Sequence, residues 1–238
     1  LIIHGQNAAA GMTNRMLARI AARVLEAFPN TVTKAETVGN PVRNGFFELP
    51  PLAQRLQHEG APRVLVVGGS QGARALNELM PQALALMPQA QRPQVRHQAG
   101  RTLEVATAAY AKAGVQASVE GFISDMPAAY AWADLVVCRA GASTIAELSA
   151  AGCASLLVPF PAAVDDHQTR NGEYLVEAGA AQMMQERDLN PQILAATLGA
   201  MLADRRRLAE MGATARGRAW SDAAQTIAQI CLKQARVA

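Results

Sequence analysis

Beginning at Arg63, short β-branched runs alternate with longer Ala- and Leu-rich stretches of helical period. That alternation leaves little room for any fold but a parallel sheet whose strands are joined by crossover helices, an α/β domain. The runs Val64-Leu65-Val66-Val67, Leu135-Val136-Val137 and Leu156-Leu157-Val158 are apolar throughout, as expected of strands covered by helices on both faces. A further strand near Ser118-Val119 and a polar one at 95–97 complete the expected sheet, with Ala181-Gln182-Met183-Met184 at its edge. The spacing predicts helices over 72–87, 101–113, 125–132, 143–151, 166–178, 191–216 and 221–236.

The chain has 238 residues, which exceeds one typical domain and falls short of two, so one large domain with an attached part-domain is expected. Half the residues are apolar, yet no stretch approaches the roughly 20 uninterrupted apolar residues of a membrane-spanning helix. A soluble or at most peripheral protein is therefore expected. Lys and Arg number 22 against 19 acids, an excess too small and too scattered to argue for nucleic acid, although it leaves room for a mild attraction to anionic surfaces. The cysteines Cys138, Cys153 and Cys231 stand far apart without a CxxC spacing, which disfavours a disulfide framework and a zinc site and fits a reducing cytoplasm. The opening Leu1-Ile2-Ile3-His4 reads as a strand already under way, predicting that the natural protein has further residues ahead of Leu1. The segment Val38-Gly39-Asn40-Pro41-Val42-Arg43 joins turn formers to a residue barred from helix before proline, and reads as a hinge after a short N-terminal piece. The run Asp204-Arg205-Arg206-Arg207 reads as a solvated helix start.

In open α/β sheets ligands collect beyond the carboxyl ends of the strands, where loops enter helices whose N-termini present free N–H groups. Three junctions here invite that reading. At the first, Val67 leads into Gly68-Gly69-Ser70-Gln71-Gly72, where glycines allow positive φ and close backbone approach and Ser70 adds a hydroxyl. A phosphate fits there; the alternative is a plain tight turn. The second is Cys138-Arg139-Ala140-Gly141-Ala142-Ser143-Thr144, followed by Ile145-Ala146-Glu147. Ser143 or Thr144 can cap the helix, and Glu147 lies one turn further in, where a carboxylate can accept ribose hydroxyls or simply favour the helix dipole. The third runs from Val158-Pro159-Phe160-Pro161 to Asp165-Asp166-His167-Gln168-Thr169-Arg170-Asn171. Asp165 or Asp166 can cap the helix there, and Gln168 and Asn171, three apart, share a face suited to sugar hydroxyls. A metal site from Asp165, Asp166 and His167 is disfavoured, because adjacent helical residues diverge in direction. His4, His58 and His97 read as structural or exposed rather than catalytic.

Taken in order, these junctions resemble the MurG family, the bacterial N-acetylglucosaminyltransferases of peptidoglycan synthesis. The likeness covers His4-Gly5-Gln6-Asn7, Gly11-Met12-Thr13-Asn14-Arg15, Gly39-Asn40-Pro41-Val42-Arg43 and Val66-Val67-Gly68-Gly69-Ser70-Gln71-Gly72-Ala73. It continues through Ala129-Tyr130-Ala131-Trp132-Ala133-Asp134, Cys138-Arg139-Ala140-Gly141 and Asp165-Asp166-His167-Gln168. Two departures stand out: Gly5 where family members usually carry glutamate, and Pro161-Ala162-Ala163 where a histidine often lies.

The resemblance implies a GT-B glycosyltransferase fold. Residues 1–43 would be a remnant of the N-terminal acceptor domain with its hinge, 44–220 a Rossmann-like donor domain, and 221–238 a C-terminal helix returning toward the N-terminal domain. It implies inverting transfer of N-acetylglucosamine from UDP-N-acetylglucosamine to the lipid-linked muramyl-pentapeptide (lipid I), at the cytoplasmic face of the bacterial inner membrane. No cofactor, metal or nucleic acid enters. By the same resemblance Asn7 and Arg43 belong to the donor site, with Arg43 at the pyrophosphate and Ser70, among Gly68, Gly69, Gln71 and Gly72, at a phosphate. The Ile123 backbone reads the uracil. Ala142, Ser143, Thr144, Ile145 and Ala146 form the helix entrance, Glu147 meets the ribose, and Gln168 and Asn171 hold the sugar. The family's candidate base, a histidine in a Gly-rich loop, would lie upstream of Leu1, so no catalytic residue is assigned. Two other readings stay open: a UDP-sugar-binding chain without activity, and an enzyme resembling UDP-N-acetylglucosamine 2-epimerases.

Overall fold

The computed structural model describes residues 1–161 and 166–235. Two all-parallel sheets organise them. The first joins β1 (Ile2–Gly5), β2 (Arg23–Glu26) and β3 (Glu36–Thr37) in that order, with α1 (Met12–Leu17) between β1 and β2. The second is reached through a short helix, α2 (Leu52–Arg55). Its strands are β4 (Arg63–Val67), β5 (Gln94–Gln98), β6 (Ser118–Glu120), β7 (Leu135–Cys138), β8 (Ser155–Leu157) and β9 (Ala181–Met183), arranged β6-β5-β4-β7-β8-β9. The expected edge position of 181–184 is therefore borne out.

Helices α3 (Arg74–Leu86), α4 (Leu103–Ala113), α5 (Met126–Trp132), α6 (Ala142–Ala151) and α7 (His167–Val176) connect these strands. Alternate residues of the central strands feed two separate apolar layers, which is why the strand sequences lack polar positions. Val64, Val66, Leu135 and Val137 pack with Leu76, Met80 and Leu84 of α3 and with Leu194, Leu198 and Leu208. Leu65, Val67, Val136 and Cys138 pack with Tyr130, Ile145, Leu148 and Leu175 on the opposite side.

The helix expected over 191–216 is two helices, α8 (Pro191–Leu202) and α9 (Arg205–Arg216). Asp204 interrupts the run by accepting the Arg207 N–H at 2.9 Å, an N-cap that starts a new helix where apolar periodicity alone suggested continuity. The last helix is α10 (Ala223–Ala235). In the first sheet a feature not foreseen is Glu26, buried at the end of β2. Its carboxylate accepts the N–H groups of Asn30, Thr31 and Val32 and the hydroxyls of Thr31 and Thr37. Burial alone would raise its pKa, and these bonds bring it below the usual value.

The segment read as a hinge leads from one sheet to the other and is tied to β1 and its exit. The Gly39 carbonyl lies 3.0 Å from His4 Nε2, and Asn40 Nδ2 donates to the Gln6 carbonyl. Gly39 adopts φ +79°, and a Cβ there would sit 2.3 Å from Cβ of Trp220. Only glycine lets the chain pass so close to the tryptophan.

Candidate functional site

Strand order in the larger sheet reverses between β4 and β7: successive strands run outward to β6 on one side and to β9 on the other. A crevice opens at such a point beyond the carboxyl ends of the two strands. The first and second junctions of the sequence leave β4 and β7, so tertiary structure sets them side by side.

At the first, Gly69 and Gly72 have φ +75° and +82°, turning the backbone so that the Gly69, Ser70, Gln71 and Ala73 N–H groups bond to no group among the described residues. Ser70 and Gln71 are exposed. Helix α3 has Ala73 at its N-cap, with no side-chain cap. A positively polarised helix end and four free donors make a cradle for an anion.

At the second, the cap expected from Ser143 or Thr144 does not form. The helix begins one residue earlier, at Ala142, with Gly141 as N-cap and no side-chain bond. Glycine serves this position nearly as well as serine, and the Ala142, Ser143 and Thr144 N–H groups bond to no group among the described residues. One turn on, Glu147 is half-buried. Burial raises its pKa, opposed by the positive charge of Arg43 and by the neighbouring Tyr130 hydroxyl. The Tyr130 hydroxyl is itself buried and lacks a hydrogen bond of ordinary geometry. Arg43 is exposed, and its guanidinium stands 5.4 Å from the centroid of Phe46, whose ring meets Tyr130 edge to face. Tertiary structure thus brings Arg43, distant in sequence, into the field of Glu147.

At the third, Asp166 occupies the N-cap position of α7, but its carboxylate accepts the Thr169 hydroxyl at 2.7 Å rather than a backbone N–H. Asp165, like Ala162 and Ala163, lies outside the described residues. The half-buried Gln168 accepts the Phe160 N–H at 2.9 Å, holding the exit of β8 against α7. Asn171 is completely buried: its Oδ1 accepts the Ala8 N–H at 2.7 Å, and its Nδ2 donates to Asn7 Oδ1 and to the Ala140 carbonyl. In this conformation its amide interlocks the two sheets' loops and leaves no polar atom toward the crevice. Asn7, half-buried, is brought beside α7 by the same bond.

Ile123 buries its side chain in the core beside Val67 and Tyr130, while its backbone N–H and C=O bond to no group among the described residues. That leaves an unfilled donor–acceptor pair at the mouth of the loop after β6. His4, His58 and His97 each hydrogen-bond within the fold: His4 Nε2 lies 3.0 Å from the Gly39 carbonyl, His58 contacts the Asp134 carboxylate at 3.0 Å and His97 is buried among polar partners.

Comparison with known proteins agrees with this fold. The profile described as the glycosyltransferase family 28 C-terminal domain matches residues 63–227, more than half of the chain. The chain belongs to glycosyltransferase family 28. Among curated relatives, one from Marinobacter nauticus is 54% identical over 99% of this chain and 66% of its own length. One from Xanthomonas axonopodis pv. citri is 56% identical over 99% of this chain and 55% of its own length. Both are named UDP-N-acetylglucosamine–N-acetylmuramyl-(pentapeptide) pyrophosphoryl-undecaprenol N-acetylglucosamine transferases. The crystal structure of Acinetobacter baumannii MurG superposes with a TM-score of 0.86 at 40% identity, covering 98% of this chain and 66% of that one. The chain thus spans roughly half to two thirds of the length of these relatives. The expected resemblance to MurG and the GT-B fold class are borne out. The three-stranded sheet precedes the region matched by the family 28 profile.

Proposed function

We propose that this chain binds UDP-N-acetylglucosamine in the crevice between β4 and β7 and carries the donor site of an inverting N-acetylglucosaminyltransferase. The observation that carries this reading is the convergence of two uncapped helix N-termini, α3 and α6, with Glu147 one turn inside the second. Two such ends favour a diphosphate, and a desolvated carboxylate beside them favours a vicinal diol. In this reading the 69–73 backbone, Ser70 and Arg43 take the pyrophosphate, Glu147 the ribose, Ile123 the uracil edge and Gln168 the sugar. Asn7 and Asn171 hold the crevice wall, and the 142–146 turn supplies further donors. The proposed acceptor is lipid I, the substrate class in the relatives' names.

Inverting transfer forms a bond from the acceptor oxygen to the anomeric carbon as the bond to the β-phosphate oxygen breaks. The acceptor proton passes to a base, and negative charge grows on the departing UDP. In this reading Arg43 and the free N–H groups stabilise that charge. Peripheral attachment to the cytoplasmic face of the membrane belongs to the same proposal. Among the described residues no helix is long and apolar enough to cross a membrane. Met12 and Met16 are exposed on α1 and Ile20 in the turn after it, with Arg15 and Arg19 exposed among them, a composition suited to an anionic lipid surface.

Titration calorimetry with UDP-N-acetylglucosamine, UDP-glucose and a TDP-sugar tests the reading. A clear preference for uridine and for the N-acetyl sugar is expected, and equal affinities would overturn it. Addition of labelled donor and acceptor lipid then separates a binding chain from one that turns over. Appearance of UDP-N-acetylmannosamine without acceptor would point to epimerisation instead.

A further inference from the structure

Behind the glycine turn lies a polar chain closed off from water. His97, completely buried on β5, places Nε2 2.8 Å from Asn77 Oδ1 and Nδ1 3.1 Å from the Tyr110 hydroxyl. Asn77, also completely buried on α3, donates from Nδ2 to the Ala99 carbonyl at 3.0 Å and to Thr102 Oγ1 at 2.7 Å. The Thr102 hydroxyl in turn donates to the Ala99 carbonyl.

This turn from Ala99 to Thr102 sits directly under the cradle. A Cβ on Gly72 would lie 2.3 Å from Thr102 Oγ1 and 2.6 Å from the Ala99 carbonyl oxygen, and one on Gly100 would lie 2.4 Å from the Gly69 oxygen. The Arg101 N–H closes the contact by donating to the Ser70 carbonyl at 3.2 Å.

The donor and acceptor pattern admits one consistent assignment. The Asn77 NH2 faces a carbonyl and must donate, so Oδ1 faces His97 and requires an N–H there. His97 then carries its proton on Nε2 and offers a bare Nδ1 to the Tyr110 hydroxyl. Burial keeps the ring neutral by lowering its pKa to about 4. An amide flipped the other way would set two acceptors against each other at Ala99.

We propose that His97 is a positioning residue for the phosphate cradle: by fixing the Asn77 amide it bolts the Ala99–Thr102 turn beneath residues 69–72. It thereby holds the free N–H groups in the array that a diphosphate requires. The proposal rests on the donor-site reading above. A loop of glycines and exposed polar residues loses backbone entropy when it is ordered, so ordering it before the ligand arrives raises affinity for the phosphates specifically.

The test compares binding of UDP and of uridine to the 238-residue chain by calorimetry. Uridine lacks the group that the cradle would hold. In the unsubstituted chain UDP should bind more tightly than uridine. His97→Leu and Thr102→Val should each lower the UDP-to-uridine affinity ratio by roughly tenfold, the equivalent of one well-placed hydrogen bond, with uridine affinity unchanged. His97→Gln, whose amide can still donate to Asn77, should recover much of the ratio. A purely structural role would lower both affinities together or only the melting temperature, and that result overturns the proposal. So does an unchanged ratio in Thr102→Val, a variant of near-equal volume that decides the matter even where His97→Leu fails to fold. An unsubstituted chain with no preference for UDP over uridine would show instead that the donor-site reading itself is wrong.

Discussion

At the scale of single residues, the decisive quantities are burial and what each polar atom meets. Glu147 was legible in the sequence as a helix-entry carboxylate, but whether it is a capping group or a ligand group depends on Arg43, over a hundred residues away, and on Tyr130 behind it. Glu147→Ala should weaken UDP binding by roughly 1.5–3 kcal/mol, the range for a hydrogen bond to a charged group, measured by calorimetry; unchanged affinity would return Glu147 to helix entry alone. His97 gives a pH prediction. Its folded pKa, lowered from 6.5 to about 4 by burial, means that the unfolded chain takes up a proton before the native one does. Its contribution is therefore complete above pH 6.5 and declines as pH falls toward 4. Urea unfolding across that window should show falling stability, with a shallower slope in His97→Gln. A polar residue within the apolar stripe of α3, Asn77 between Leu76 and Met80, was the available sign of this network. It was not read because periodicity gives the face and not the partner.

At the scale of elements, the strands and helices of the larger sheet were readable because both faces are covered, which turns each strand into an unbroken apolar run. Boundaries were decided by chemistry that such runs do not record. Asp204 splits one expected helix into α8 and α9, and Gly141 replaces the expected hydroxyl cap of α6. The two glycine-led helix entrances share the consequence of leaving N–H groups free, the property a phosphate site needs. Gly72→Ala tests this at the first entrance. Its φ of +82° and the nearby Thr102 and Ala99 oxygens make a methyl group costly, so a loss of more than about 1 kcal/mol in unfolding free energy is expected. A concurrent loss of UDP affinity should appear, and wild-type values for both would show that the turn relaxes without regard to its contacts.

At the scale of the whole molecule, the smaller sheet is joined to the larger by polar groups as well as by the chain. Asn171 ties Asn7 and Ala8 to Ala140, and Trp220 packs against Gly39 in the connecting segment. Asn171→Ala should lower unfolding free energy by about 2–3 kcal/mol, because it strands the half-buried Ala8 N–H and the buried Ala140 carbonyl, and should free the 7–10 segment for faster hydrogen exchange. Protection unchanged at Ala8 would show that the sheets are held together without this residue. The sequence by itself determined the α/β class, the alternation of strands and helices in the larger sheet and the three loops proposed to hold the donor, since hydrophobic period and glycine placement are local properties. Which loops meet depended on the strand order β6-β5-β4-β7-β8-β9, which sets the exits of β4 and β7 side by side. Only that tertiary arrangement turned Asn171 inward, brought Arg43 toward Glu147 and placed His97 beneath the cradle, because burial and electrostatic fields belong to neighbours in space and leave no trace in spacing along the chain.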